Sequence, residues 1–203
     1  MGSEIDLMNA ALAHLGEEIQ LSDPDADPAP RAQRVFRALL PTIRDAMLRE
    51  HPWLCAERRL TVTRQPGDDP VDWKFRNVFL LPRETLRVWS VETEEIWQAG
   101  FLAIRDGDGA VIERRKALFS ASAGPLNVTI IDTIPYEDMD ALLFDAMGYE
   151  LAKRAAGPLQ ADKALAQRLK GEAREALALA VTTETSEWRE EPALSRGRFL
   201  GSR

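Results

Sequence analysis

PRAQRVFRALLPTIRDAMLREHPWLCA, from Pro30 to Ala56, is the stretch on which the fold turns. Val35, Phe36, Leu39, Leu40, Ile43, Ala46 and Met47 recur at three- and four-residue spacing, so they line one side of a helix. That side must be buried. Arg34, Arg37 and Arg44 fall on another face, with Asp45 and Arg49 beside them, a face that is wet or meets a partner. From Ala29 to Glu50, at ~1.5 Å per residue, the helix would run roughly 33 Å, the span of a small domain and a suitable spine for a helical bundle. Pro41 removes one backbone donor and crowds the carbonyl four residues back, so a kink is expected there. Pro52 pushes His51 toward an extended backbone and ends the helix.

Upstream, Ser3 is placed to cap a helix through Ile5, Met8, Leu12 and Leu15, with Gly16 at its left-handed stop. Three prolines between Leu21 and Pro30 make a loop into the spine helix, which Asp27 or Pro28 to Pro30 would open. Downstream of Trp53 the helical period is lost until Asp132. Short strands are expected at Leu60–Thr63, Val78–Leu81, Leu86–Glu92, Glu95–Trp97, Leu102–Arg105, Ala110–Arg114, Leu118–Ser120 and Val128–Asp132. Gln65–Pro70 reads as a turn and Gly107-Asp108-Gly109 as a hairpin, giving a small antiparallel sheet or barrel. Trp73, Phe75, Phe79, Trp89, Trp97 and Phe101 are its candidate core.

Helical spacing returns at Tyr136, behind Pro135, with Glu137, Asp138 and Asp140 at the positive helix end. Leu142, Leu143, Ala146, Met147, Leu151, Ala152 and Ala155 make this helix apolar enough to be central, and Gly148 suits a close helix contact. Gly157-Pro158 is expected to end it. A fourth helix starts near Ala161, with Leu165, Leu169, Ala173, Ala176, Leu177 and Ala180 on one side. The expected class is therefore α+β. Residues 1–53 and 134–184 would form a bundle of about four helices, residues 54–133 an inserted antiparallel β domain, and residues 185–203 an extended tail.

Chemistry is sparse. His14 and His51 are the only histidines among 203 residues, and neither has a metal-ligating or triad partner at a recognisable spacing. No Gly-x-Ser-x-Gly elbow or phosphate-cradling glycine loop is present. Asp106-Gly107-Asp108-Gly109 lacks the distal glutamate of a calcium loop. Asp68-Asp69 and Glu94-Glu95 are adjacent carboxylates, not a held acid and base. Cys55 is the single cysteine, which excludes an internal disulfide, and it is expected to act as a small buried hydrophobe. No catalytic activity, cofactor or metal is expected. A hydrophobic content of 45% and a charged content of 29%, without a long apolar run, read as a soluble protein kept in a cytoplasm and not in a membrane. The net charge of −7 argues against adhesion to nucleic acid, yet suits a wall that DNA slides past.

Arg44-Asp45, Leu48-Arg49-Glu50-His51-Pro52-Trp53 and Ala56 together resemble the signature of the tail tubular protein A family of tailed phages. The likeness extends upstream over Asn9-Ala10-Ala11-Leu12-Ala13-His14-Leu15-Gly16-Glu17. Downstream it takes in Leu81-Pro82-Arg83-Glu84-Thr85-Leu86-Arg87-Val88 and an alanine-rich helical pair from Tyr136 to Val181. Where that family has an Asp-Pro-Leu-Phe-like opening of its third helix, this chain has Met139-Asp140-Ala141-Leu142-Leu143-Phe144. The resemblance implies a head-to-tail adaptor, a virion protein made in the host bacterial cytoplasm. It would form a dodecameric ring between the portal and the tail nozzle protein, with double-stranded DNA passing through unbound.

On that reading Arg34, Arg37 and Arg44 are candidates for pairing with acids of a neighbouring subunit, and Trp53 is the structural anchor. The tail offers Arg196, Arg198 and Arg203, with the apolar Phe199-Leu200 between them, as candidates for binding the portal. The competing classes are a tail-borne cell-wall hydrolase and a monomeric bacterial interaction domain.

Overall fold

The computed structural model describes residues 2–65, 74–160 and 162–187. It is a mixed α+β structure. Two helices come first, α1 (Glu4–Leu15) and α2 (Arg31–Glu50). Six strands follow: β1 (Glu57–Val62), β2 (Asn77–Leu80), β3 (Thr85–Glu92), β4 (Trp97–Arg105), β5 (Val111–Ser120) and β6 (Leu126–Asp132). A 3-10 turn at Tyr136–Asp138 leads into α3 (Ala141–Gln160) and α4 (Lys163–Glu187).

Local chemistry sets the helix ends. Ser3 and Asp6 form a reciprocal capping box, and Gly16 closes α1 at φ 80°, where a side chain would be strained. Helix α2 continues through Pro41, whose ring is exposed. It buries Phe36, Leu40, Ile43, Met47 and Leu48, together with Gln33, whose amide donates to the carbonyls of Asp23 and Pro24 at 3.0 Å. Ala46, expected in the buried stripe, is exposed, and Leu48 takes its place.

The third helix departs from expectation at both ends. Tyr136 begins only a 3-10 turn, because Met139 is extended and Asp140 makes a fresh cap, accepting from the Leu142 and Leu143 amides at 2.8 and 3.4 Å. Gly157-Pro158 does not stop α3. The proline lies in the last turn, so it costs the helix a single bond, to the carbonyl of Arg154, and other groups tie that end down. Arg31 Nη2 donates to Pro158 O at 2.6 Å, and Gln160 Nε2 to Leu15 O at 3.1 Å. Helix α4 also outlasts its expected end by reaching Glu187, and Asp162 caps its start.

Helix α3 packs against α1, α2 and α4. Over Gly148, α1 comes close enough that an added Cβ would sit 3.5 Å from Ala10 Cβ, ordinary contact distance, so an alanine would also fit. The strands form two antiparallel sheets, in the orders β1-β6-β3 and β2-β5-β4. Residues of both sheets, among them Val62, Phe79, Leu118, Val128 and Ile130, share one apolar cluster. Alternation along β6 divides its side chains: Val128 and Ile130 join that cluster, whereas Ile131 joins the larger one built on the helices.

Two pairs of expected short strands are each continuous. Strand β4 runs on through Ala99-Gly100, and β5 through Arg115-Lys116, whose charged ends find backbone acceptors on neighbouring elements. The Asp106–Ala110 hairpin is as expected, with Asp106 Oδ1 accepting from the amides of Asp108 and Ala110. Phe75 and Phe79 are buried, but Trp89 and Phe101 are not core residues. Trp89 lies on the outer face of β3 by the same alternation as Arg87, whose guanidinium sits 4.7 Å over the indole ring, and Phe101 lies on an edge strand. Trp73 and the Gln65–Pro70 turn, with Asp68-Asp69, fall wholly or partly outside the described residues.

Candidate functional site

The corner after α2 is built around Trp53, which is fully buried. Its Nε1–H donates to Met47 O at 2.9 Å, and its ring meets His51 edge-on at a centroid separation of 4.8 Å. The tryptophan thus satisfies a carbonyl in the last turn of α2 while filling the space that the turning chain leaves. His51 is extended, as Pro52 requires. Burial pulls its imidazole below the ordinary histidine range, opposed by the charge of Glu184.

Two arginines from segments far apart in sequence lock this corner to β3. Arg49 donates to Leu86 O, and Arg87 Nη1 donates back to Arg49 O at 2.9 Å. A cation thereby meets the carbonyl end of α2, where the helix dipole favours it. Lys116 adds a third strap, donating to Thr85 O and Leu86 O at 2.5 and 2.6 Å. Burial pulls the Lys116 ammonium below the usual lysine range, and Arg49 adds to the effect. From α4, Glu184 is buried and accepts the Leu54 amide. Sequence reasoning missed Arg87, Lys116 and Glu184 in these roles, since each acts through a main-chain partner that only folding brings near.

The arginines of α2 divide. Arg34 and Arg37 are exposed, and their side chains make no ion pair or hydrogen bond among the described residues. Arg44 is half-buried, pairs with Asp45 at 3.1 Å and lies 5.6 Å above the Tyr136 ring. Asp45 in turn accepts from Thr133 Oγ1 at 3.3 Å. Only the first two therefore present free charge to a neighbour. Arg196, Arg198, Phe199, Leu200 and Arg203 lie outside the described residues.

An open cavity of about 470 Å³ sits where α4 passes the 3-10 turn, walled by Asp138, Asp140, Glu184, Glu187 and Cys55. Burial raises the Cys55 thiol above its usual range, so it is a poor nucleophile near neutrality. Glu94 and Glu95 are both exposed in a bend. His14 stacks on Tyr149 at 3.6 Å, with Asp145 4.0 Å from its Nε2. Among the described residues no group of three or more His, Cys, Asp and Glu is placed to hold a metal ion. No described helix is long and apolar enough to cross a membrane.

No protein-family model matches the chain, and no curated protein matches it in sequence.

Proposed function

We propose that this chain is a structural virion protein, a head-to-tail adaptor similar to tail tubular protein A. In this reading it forms a ring, dodecameric by that resemblance, which joins the portal to the tail nozzle and lines part of the DNA channel. The supporting observation is the meeting of the resemblance segments. Arg49 from one bonds with Leu86 and Arg87 from another, across a corner between a helix and a sheet whose turn is filled by Trp53, held by Met47 O. These bonds hold the shape of the protomer, which suits a wall rather than a turnover site. Arg34 and Arg37 on the open face of α2 supply a charge-complementary lateral contact of the heterologous kind that closes rings.

The larger apolar cluster supports the bundle-with-insertion reading. Its buried members come from residues 7–56 and 131–180, while those of the smaller cluster come from residues 62–130. The residues beyond Glu187 act here as the arm that engages portal carboxylates through Arg196, Arg198 and Arg203, with Phe199-Leu200 as an apolar plug. Co-sedimentation with portal rings tests the assignment. Full-length protein should pellet with portal, and a chain ending at Glu187 should stay folded but remain in the supernatant. Equal binding by the truncated chain would refute the arm, and no binding by either would refute the adaptor reading.

A further inference from the structure

Strands β3 and β4 are edge strands of the two sheets, and residues of both, with Arg49 of α2 and Lys116 of β5, line a groove of about 210 Å³. Leu86 and Val88 line one wall and Phe101 the other, the phenylalanine 66% exposed. Arg49, Arg87 and Lys116 rim it. All three donate to main-chain carbonyls, and none is ion-paired to a carboxylate among the described residues. The groove therefore joins apolar walls to three cations that hold no carboxylate in an ion pair, with Asp45 and Asp132 acting on Lys116 from farther off and Arg87 4.7 Å over the Trp89 ring, in a chain whose net charge is −7. Its complement is acidic with a protruding apolar side chain.

The same molecule carries such an element at the far end of β3. Glu94, Glu95 and Ile96 form an exposed bend, with Ile96 65% exposed and neither glutamate ion-paired among the described residues. The bend is pre-shaped. Ile96 O accepts from Ser120 Oγ at 3.2 Å and from Ala121 N at 3.3 Å, and Thr93 Oγ1 accepts the Glu95 amide at 3.1 Å. A fixed backbone holding an isoleucine in water loses little entropy when that residue is covered.

We propose that the groove lined by β3 and β4 receives the Glu94-Glu95-Ile96 bend of a second copy of this chain. The glutamates meet Arg49, Arg87 and Lys116, and the isoleucine packs on Phe101. Donor and acceptor are different surfaces, so the contact repeats head to tail from one subunit to the next. This rests on the ring-forming reading and adds which surfaces join the subunits. Within one chain the two elements cannot meet, since five residues of strand at ~3.3 Å each hold positions 96 and 101 about 16 Å apart.

Disulfide trapping tests it in the full-length chain with Cys55→Ser. Ile96→Cys/Phe101→Cys should give a ladder of covalent oligomers on mild oxidation, with or without portal rings, while each single variant stays uncrosslinked. In parallel, Glu94→Lys/Glu95→Lys and Arg87→Glu should each weaken self-association about tenfold, and mixing the two variants should restore it. Wild-type mass is measured under the same conditions. If the wild type assembles but no ladder forms, the groove assignment is wrong and the ring reading stands. If the wild type is monomeric both alone and with portal, both fall.

Discussion

Trp53 shows how one side chain can carry two obligations. It fills the corner and hydrogen-bonds Met47 O, so Trp53→Ala opens a cavity and strands a buried carbonyl. The expected cost is ~3–5 kcal/mol, a large share of a domain's stability, read as a lowered urea midpoint or outright loss of cooperative unfolding. An unchanged midpoint would contradict its structural role. The two histidines make stability depend on pH. Burial lowers the folded-state pKa of both His14 and His51, so the unfolded chain takes up protons that the folded chain refuses. Their contribution is complete above the unfolded value of about 6.5 and declines as pH falls below it. Unfolding midpoints between pH 7.5 and 5.5 should therefore fall with pH, and His14→Gln/His51→Gln should flatten the slope.

At the scale of elements, α2 sets two arginines without partners among the described residues, Arg34 and Arg37, beside the bonded Arg31, Arg44 and Arg49. Arg34→Glu/Arg37→Glu should change stability by no more than about 0.5 kcal/mol, because exposed charges without partners contribute little. Arg44→Glu should cost more, since it sets a like charge beside Asp45 and removes the cation from the Tyr136 ring. The double variant, folded but unable to form rings with portal, is the expected outcome by circular dichroism and sedimentation. Normal assembly would remove the α2 face from the lateral contact.

Elements of this kind were legible in sequence where a local rule acts by itself. The Ser3 cap, the Gly16 stop and the 106–110 hairpin need only their own neighbours. The apolar stripe of α2 was readable to within two positions, Ala46 and Leu48, because helical period averages over neighbours. What escaped was set by distant chain. The C-terminal end of α3 is tied by Arg31 and by Gln160 to Leu15, and Lys116 of β5 is held by carbonyls of β3. The site followed the same division. Trp53 stood out as a large aromatic at a helix-ending proline, whereas Arg87 and Lys116 looked like ordinary strand charges.

For the whole molecule, the functional reading makes stability and assembly separable. The Trp53 corner holds the protomer together, and on the proposed reading the charged faces join one protomer to the next. Self-association should accordingly weaken between 50 and 500 mM salt while the unfolding midpoint changes little, because exposed pairs are screened over about 10 Å at 0.1 M. The most direct test of the adaptor reading is electron microscopy of the full-length protein mixed with portal rings. The account predicts a second closed ring stacked coaxially beneath the portal, with an open central channel. Portal particles left undecorated at saturating protein would contradict it.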